Sequence, residues 1–140
     1  MALEILTNEH IVDILPIVAA VNSRVDKAEL EARLNEMFSY DNYICFGFFD
    51  NAELIAVTSG WALTKLYSGK QLELDNVAVI EEKRSQGVGQ KLTAMVEQWA
   101  KERGYISVEL NSYVTNARSH KFYFNQGYTV IGYHFQKDMN

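Results

Sequence analysis

The chain has 140 residues, a single cysteine, a single proline and a formal net charge of −5, with a pI of about 5.2. One cysteine excludes a disulfide framework and a cysteine zinc site, and the acidic balance speaks against binding nucleic acid through a general basic field. A content of 48% hydrophobic and 22% charged residues fits one domain, residues 1–140, around one core. No run reaches the length of a membrane span, and the start carries neither a basic n-region nor a long apolar h-region, so no membrane contact and a cytoplasmic location are expected.

Taken in order, residues 3–6 read as a short strand. Thr7 or Asn8 can cap a helix reaching about Asn22, with Ile11, Ile14, Leu15, Val18 and Val21 on one face and Pro16 as a kink or local break. A second helix is expected over 26–38, with Leu30, Leu34, Met37 and Phe38 apolar. Residues 43–50 and 53–65 alternate at period two around Asp50-Asn51, which predicts a β-hairpin. Cys45 lies in the apolar run 43–49 and reads as a buried, inert thiol.

The strand 72–79 has a phase slip. Leu72 and Leu74 set one apolar phase, and Val77 and Val79 set the opposite one. A slip of one residue inside a strand is what a β-bulge produces, here near Asp75-Asn76, and a bulge frees backbone groups for a ligand. A helix follows over about 87–103, with Val88, Leu92, Met95, Val96 and Trp99 inward and Gly104 as its stop. Tyr105–Leu110 reads as a strand with Ile106, Val108 and Leu110 facing one way. A helix over 116–126, capped by Thr115 or Asn116, ends at Gly127. Residues 128–137 complete the pattern as a last strand, with Ile131, Tyr133 and Phe135 in phase. The order is β-α-α-β-β-β-α-β-α-β, and the strand–helix–strand unit around Gly87 implies a parallel pair.

Arg84-Ser85-Gln86-Gly87-Val88-Gly89 stands between the bulged strand and a helix. A glycine-rich turn at a helix start presents unpaired N–H groups and the positive end of the helix dipole, an anion site suited to phosphate. Lys83, Arg84 and Lys91 surround it in an otherwise acidic chain. Position 92 is Leu, so no dinucleotide-binding Gly-x-Gly-x-x-Gly is present, and no Gly-Lys-Ser/Thr marks a P-loop.

Arg84-x-x-Gly87-x-Gly89, placed after Val77-Ala78-Val79, resembles the acyl-CoA pyrophosphate loop of the GNAT N-acetyltransferase superfamily. Asn116-Ala-Arg-Ser119-His-Lys-Phe122-Tyr123-Phe-Asn-Gln-Gly127-Tyr128 is similar to a second segment of that family, with Ser119 in place of a small Ala and Tyr128 in place of a common Phe. The element order agrees over nearly the whole chain. The resemblance implies an α/β acyl-CoA N-acyltransferase fold. Its sheet would be mixed and mostly antiparallel, bulged at 72–79 and splayed there, with helices on both faces.

It further implies acetyl-CoA as cosubstrate, no metal, and a small-molecule primary amine as acceptor, attacked directly in a ternary complex. Small bacterial enzymes acting on low-molecular-weight amines, such as aminoalkylphosphonates, are the nearest likeness. Val77, Ala78 and Val79 would hold the pantetheine and thioester through their backbone, and the N–H groups of Arg84, Ser85, Gln86, Gly87, Val88 and Gly89 the pyrophosphate. Asn116 and Ser119 would join the cofactor site, Asn116 also as helix cap. Tyr123 would protonate the departing thiolate. A lysine-like amine, with a pKa near 10.4, must lose a proton before it attacks. Glu73 is the first candidate for the base and Asp75, on the same strand face, the second. His10, His120 and His134 are given no catalytic part.

Two other functions fit the same motifs: a non-catalytic acyl-CoA-binding regulatory module, and an acetyltransferase of protein or peptide lysines. A homodimer extends to this chain only by analogy with the family.

Overall fold

The computed structural model describes residues 1–75 and 77–140. Two compact units divide the chain, residues 1–109 and residues 110–140. The first unit is built on a sheet. Its strands are β1 (Ala2–Leu6), β2 (Tyr43–Asp50), β3 (Glu53–Lys65), β4 (Gly69–Leu74), β5 (Ala78–Val79) and β6 (Ser107–Leu110), whose last residue begins the second unit. The order is β1-β2-β3-β4-β6, with β5 on β3 beyond the end of β4. The pairings β1–β2, β2–β3, β3–β4 and β3–β5 are antiparallel, and the mixed α/β fold includes one parallel pair.

The expected hairpin forms as predicted. Tyr43 lies opposite Trp61 and Cys45 opposite Ser59, and the turn is made with Asn51 at φ 55. Asn tolerates this left-handed conformation better than most residues. A Cβ at Gly60 would stand 2.6 Å from Leu72 Cδ1, so the buried Leu72 side chain would have to shift to admit one.

Helix α1 (Ile11–Ala19) and helix α2 (Lys27–Phe38) cover one face. Ile11, Ile14, Leu15, Ile17, Leu30 and Leu34 form a cluster with Leu6, Cys45, Val57 and Ala78. Helix α3 (Val88–Glu102) takes the other face, where Trp99 meets Phe46 edge-on at 5.0 Å and Leu92 and Val96 are fully buried. Each fully buried aliphatic side chain of this size contributes about 1.5–3 kcal/mol of transfer free energy. In the second unit, α4 (Ala117–Asn125) starts at Asn116, whose Oδ1 accepts from Ser119 N at 3.1 Å. That is the predicted cap.

Several sequence expectations need correction. The first helix opens as a 3-10 turn over Asn8–His10, closed by a capping box between Thr7 and His10. It then continues through Pro16 but stops at Ala19, three residues early. Ile17 is buried where Val21 was expected; Val21 is exposed. Strand β4 begins at Gly69 rather than 72, and β6 at Ser107 rather than 105. Ile106 is exposed while Val108 and Leu110 are half-buried. On α3, Thr93 and Ala100 are buried beside Leu92, and Met95 and Trp99 are only half-buried.

The strand predicted over 128–137 does not form. No residue of 128–140 belongs to a helix or strand, and 129–140 are exposed. A strand needs a partner for its backbone, and no sequence pattern inside the segment supplies one.

Candidate active site

Strand β4 ends at Leu74, opposite Gly60, and Asp75 N donates to Ser59 O at 2.8 Å. The ladder resumes with Ala78 opposite Val57 and Val79 opposite Ala56. The 75–78 side therefore holds one residue more than the β3 side. That is the predicted bulge; Asn76 itself lies outside the described residues. The extra residue puts Val79, opposite Ala56, on the face of Leu72 and Leu74, which accounts for the phase slip in the sequence. β4 has neighbours on both sides, β3 and β6, whereas β5 has β3 alone among the described residues. The sheet thus opens at the bulge, and among the described residues one edge of β5 has no strand.

The register puts Tyr43, Cys45, Ser59, Trp61, Glu73 and Asp75 on one face, the face of α1 and α2. Glu73 stands opposite Trp61. Asp75 Oδ2 accepts from Ser59 Oγ at 3.0 Å, and Trp61 also hydrogen-bonds its carboxylate. Asp75 reaches solvent at one side, yet the protein around it displaces enough water to push its carboxyl above the usual range. The bonds from Ser59 and Trp61 oppose that rise without cancelling it. Tyr43 continues the network through Ser59 and Cys45, and burial raises its phenol strongly. Burial pushes the Cys45 thiol up to about 12, against a hydrogen bond with Tyr43 that pulls the other way.

Rings flank this polar line. Tyr43 and Trp61 are 4.9 Å apart between centroids, Tyr40 and Trp61 5.9 Å, and Phe38 meets Tyr43 edge-on at 5.2 Å. Tyr43, Ser59 and Trp61 escaped the sequence reading. They become neighbours of Asp75 only through strand register, and their sole mark in the sequence is a shared period-two phase.

The loop 84–89 has the backbone of an anion cradle. Ser85 at φ 61 and Gly87 at φ 78 take the left-handed conformation after an extended Arg84, a backbone pattern that belongs to anion-binding turns. Gly87 caps α3 with no side-chain hydrogen bond, and the first turn of α3 carries no acid. No acidic side chain in that first turn offsets the positive helix end. The cations are partly engaged. Lys83 pairs with Asp50 at 3.4 Å, and Arg84 Nε donates to Val79 O at 3.0 Å, which ties the loop to β5. Lys91 is exposed. These features fit the pyrophosphate and pantetheine of an acyl-CoA.

In the second unit Tyr123 is 8% exposed, and burial raises its phenol above the ordinary value. Phe122 and Tyr128 pack against it at 5.0 and 5.5 Å. Ser119 Oγ accepts from Ser112 Oγ at 3.1 Å, and His120 Nε2 lies 2.8 Å from the Tyr113 carbonyl. Among the described residues no group of three or more His, Cys, Asp or Glu could hold a metal ion, and no helix is long and apolar enough to cross a membrane.

The chain is similar to known proteins along its whole length. An uncharacterized N-acetyltransferase, YhdJ, of Bacillus subtilis (strain 168) is 23% identical over 135 residues, covering 96% of this chain and 95% of that protein. The crystal structure of a ribosomal-protein-alanine N-acetyltransferase from Brucella melitensis biovar Abortus 2308 superposes with a TM-score of 0.81 at 16% identity, covering 99% of this chain and 98% of that one. An aminoglycoside acetyltransferase from an uncultured soil metagenomic sample, in complex with sisomicin, gives 0.78 at 17% identity, with 99% and 96% covered. The family model described as "Acetyltransferase (GNAT) family" matches residues 11–128. That span takes in α1, the bulge, the loop 84–89 and α4, and the chain belongs to the GNAT acetyltransferase family.

Proposed function

We propose that this acetyltransferase moves the acetyl group of acetyl-CoA to the primary amine of a small molecule, by direct attack while both are bound. The reading is carried by one observation: the Asp75 carboxylate, held by Ser59 and Trp61, shares its sheet face with Glu73 and the rings of Tyr43 and Trp61. A protonated amine is attracted both to carboxylates and to aromatic faces. The same carboxylates can then take the proton that must leave before the nitrogen attacks.

In this mechanism the amine nitrogen bonds to the thioester carbonyl carbon and the carbon–sulfur bond breaks. The amine proton passes to Asp75, whose raised pKa brings it nearer the working pH than an ordinary aspartate. Glu73 orients the ammonium and is the second candidate for the base. Tyr123, kept protonated by its burial, donates to the departing thiolate. The N–H groups from Arg84 to Gly89 hold the pyrophosphate. The free edge of β5 receives the pantetheine arm, and Asn116 and Ser119 contribute further cofactor contacts. Cys45 carries no acyl group, since a thiol pushed up to about 12 supplies almost no thiolate at neutral pH.

A panel of amines tests the assignment by release of CoA thiol: polyamines, aminoglycosides, aminophosphonates and lysine peptides. Turnover with one or more small amines is expected. Turnover confined to lysine peptides would replace the small molecule by a protein acceptor. Tight CoA binding with no turnover on any amine would favour the binding module.

A further inference from the structure

The rings beside Asp75 continue to a second carboxylate, and every link in the line lies within residues 1–109. Trp61 hydrogen-bonds the Asp75 carboxylate. Its ring stands 5.9 Å from that of Tyr40, tilted by 58°, and 4.9 Å from that of Tyr43, tilted by 53°. The Tyr40 hydroxyl donates to Glu36 Oε1 at 3.3 Å. The two ends lie on opposite sides of Trp61 along β3. Asp75 N donates to Ser59 O, whereas Asn42, just beyond Tyr40, accepts through its carbonyl from Ala62 N at 2.8 Å. The line therefore runs along β3 from Asp75, past Trp61, to Tyr40 and Glu36.

Among the described residues neither Asp75 nor Glu36 forms an ion pair with a base. The bases carried by the same elements are placed elsewhere. Lys27 opens α2, at the far end from Glu36. Arg33 turns back to Glu29 at 3.0 Å. Lys65 stands over the Tyr67 ring, and Lys70 stands over Tyr105 while it donates to Arg103 O. Ring packing alone needs no carboxylate at either end. A row of aromatic faces closed at both ends by carboxylates attracts positive charge at two places, with apolar contact between them.

We propose that the acceptor is a linear aliphatic diamine or polyamine. One nitrogen meets Asp75 and is acetylated, the methylene chain lies along Trp61 and Tyr40, and a second, charged nitrogen is held at Glu36. A lone ammonium is satisfied at Asp75, so Glu36 and the rings between call for a spacer and a second charge. An acceptor with an anion at its far end, such as an amino acid or an aminophosphonate, would meet Glu36 with like charge. The inference rests on the acetyl-transfer reading and narrows its acceptor.

Thiol release from acetyl-CoA tests it with butane-, hexane- and octanediamine, each set against the monoamine and the ω-amino acid of equal length. The diamine of best length should exceed its monoamine by about 10-fold in kcat/KM, mainly through a lower KM, and the amino acid should fall below both. Glu36→Gln should bring the ratio of diamine to monoamine close to one, and Tyr40→Leu should raise the KM of the diamine about 5-fold. Acetyl-CoA affinity, measured by calorimetry, should match the parent in both variants, which separates loss of the acceptor from loss of the fold. Equal kcat/KM for diamine and monoamine, or a preference that survives Glu36→Gln, would overturn the inference and leave acetyl transfer to small amines in place. Tight CoA binding without turnover on any amine would overturn the transfer reading, and the inference with it.

Discussion

Asp75 carries the most chemical information of any single residue. Its carboxyl is raised by lost water, while Ser59 and Trp61 favour the charged form. Removing one of those donors therefore has a signed consequence. Ser59→Ala should move the rising limb of the kcat/KM profile to higher pH, because the carboxylate loses a hydrogen bond that the neutral acid needs less. Asp75→Asn should remove that limb and lower kcat by about 10²–10⁴-fold. A base-free site would leave the profile of both variants unchanged. Stability runs the opposite way. A carboxyl whose folded pKa lies above its unfolded value loses stabilisation as pH rises through the folded pKa, so Asp75→Asn should melt no lower than the parent at pH 7, in a calorimetric scan. Tyr123→Phe keeps the ring packing against Phe122 and Tyr128 but removes the proton donor. It should reduce kcat with little change in acetyl-CoA affinity, and wild-type turnover would exclude the phenol as the acid. Of these residues, Glu73 and Asp75 were legible as candidates from their type and their shared strand face, and Tyr123 from its place in the segment that resembles the family's. Ser59 and Trp61 were not, since their link to Asp75 is made across strands.

The elements were legible where their determinants are local. Asn116 caps α4 and Asp26 caps α2 through their own side-chain oxygens, Asp26 accepting from Glu29 N at 2.9 Å. The bulge could be read because a one-residue slip leaves its trace in the apolar phase. The early stop of α1 could not, as it depends on how the turn after Ala19 meets its surroundings. The loop entering α3 is the element with the clearest prediction. Gly87 stands at φ 78, where a side chain costs about 1–2 kcal/mol, and Gly89 follows in the first turn of a helix that begins without an acid. Gly89→Asp adds bulk and a negative charge to that turn and should abolish CoA binding measured by calorimetry, while the helix dipole itself welcomes the new acid and the fold persists. Unchanged affinity would remove the loop from the cofactor site.

At the scale of the whole molecule, sequence and structure agree on a mixed sheet with helices on both faces and part company at the last strand. Ile131, Tyr133 and Phe135 have the composition of a strand, but composition does not choose the strand's neighbour, and that choice lies outside the segment itself. The acceptor is open for a similar reason: the rings and carboxylates beside Asp75 describe a class of cation rather than one compound, and the matched structures range from a ribosomal-protein-alanine enzyme to an aminoglycoside enzyme. The core offers a practical benefit for resolving this. Cys45 is the only sulfhydryl in the chain, 1% exposed and held far from ionisation by its surroundings. A disulfide colour reagent added to the folded protein should meet no reactive group of its own, so every equivalent of yellow anion in an assay reports one CoA set free.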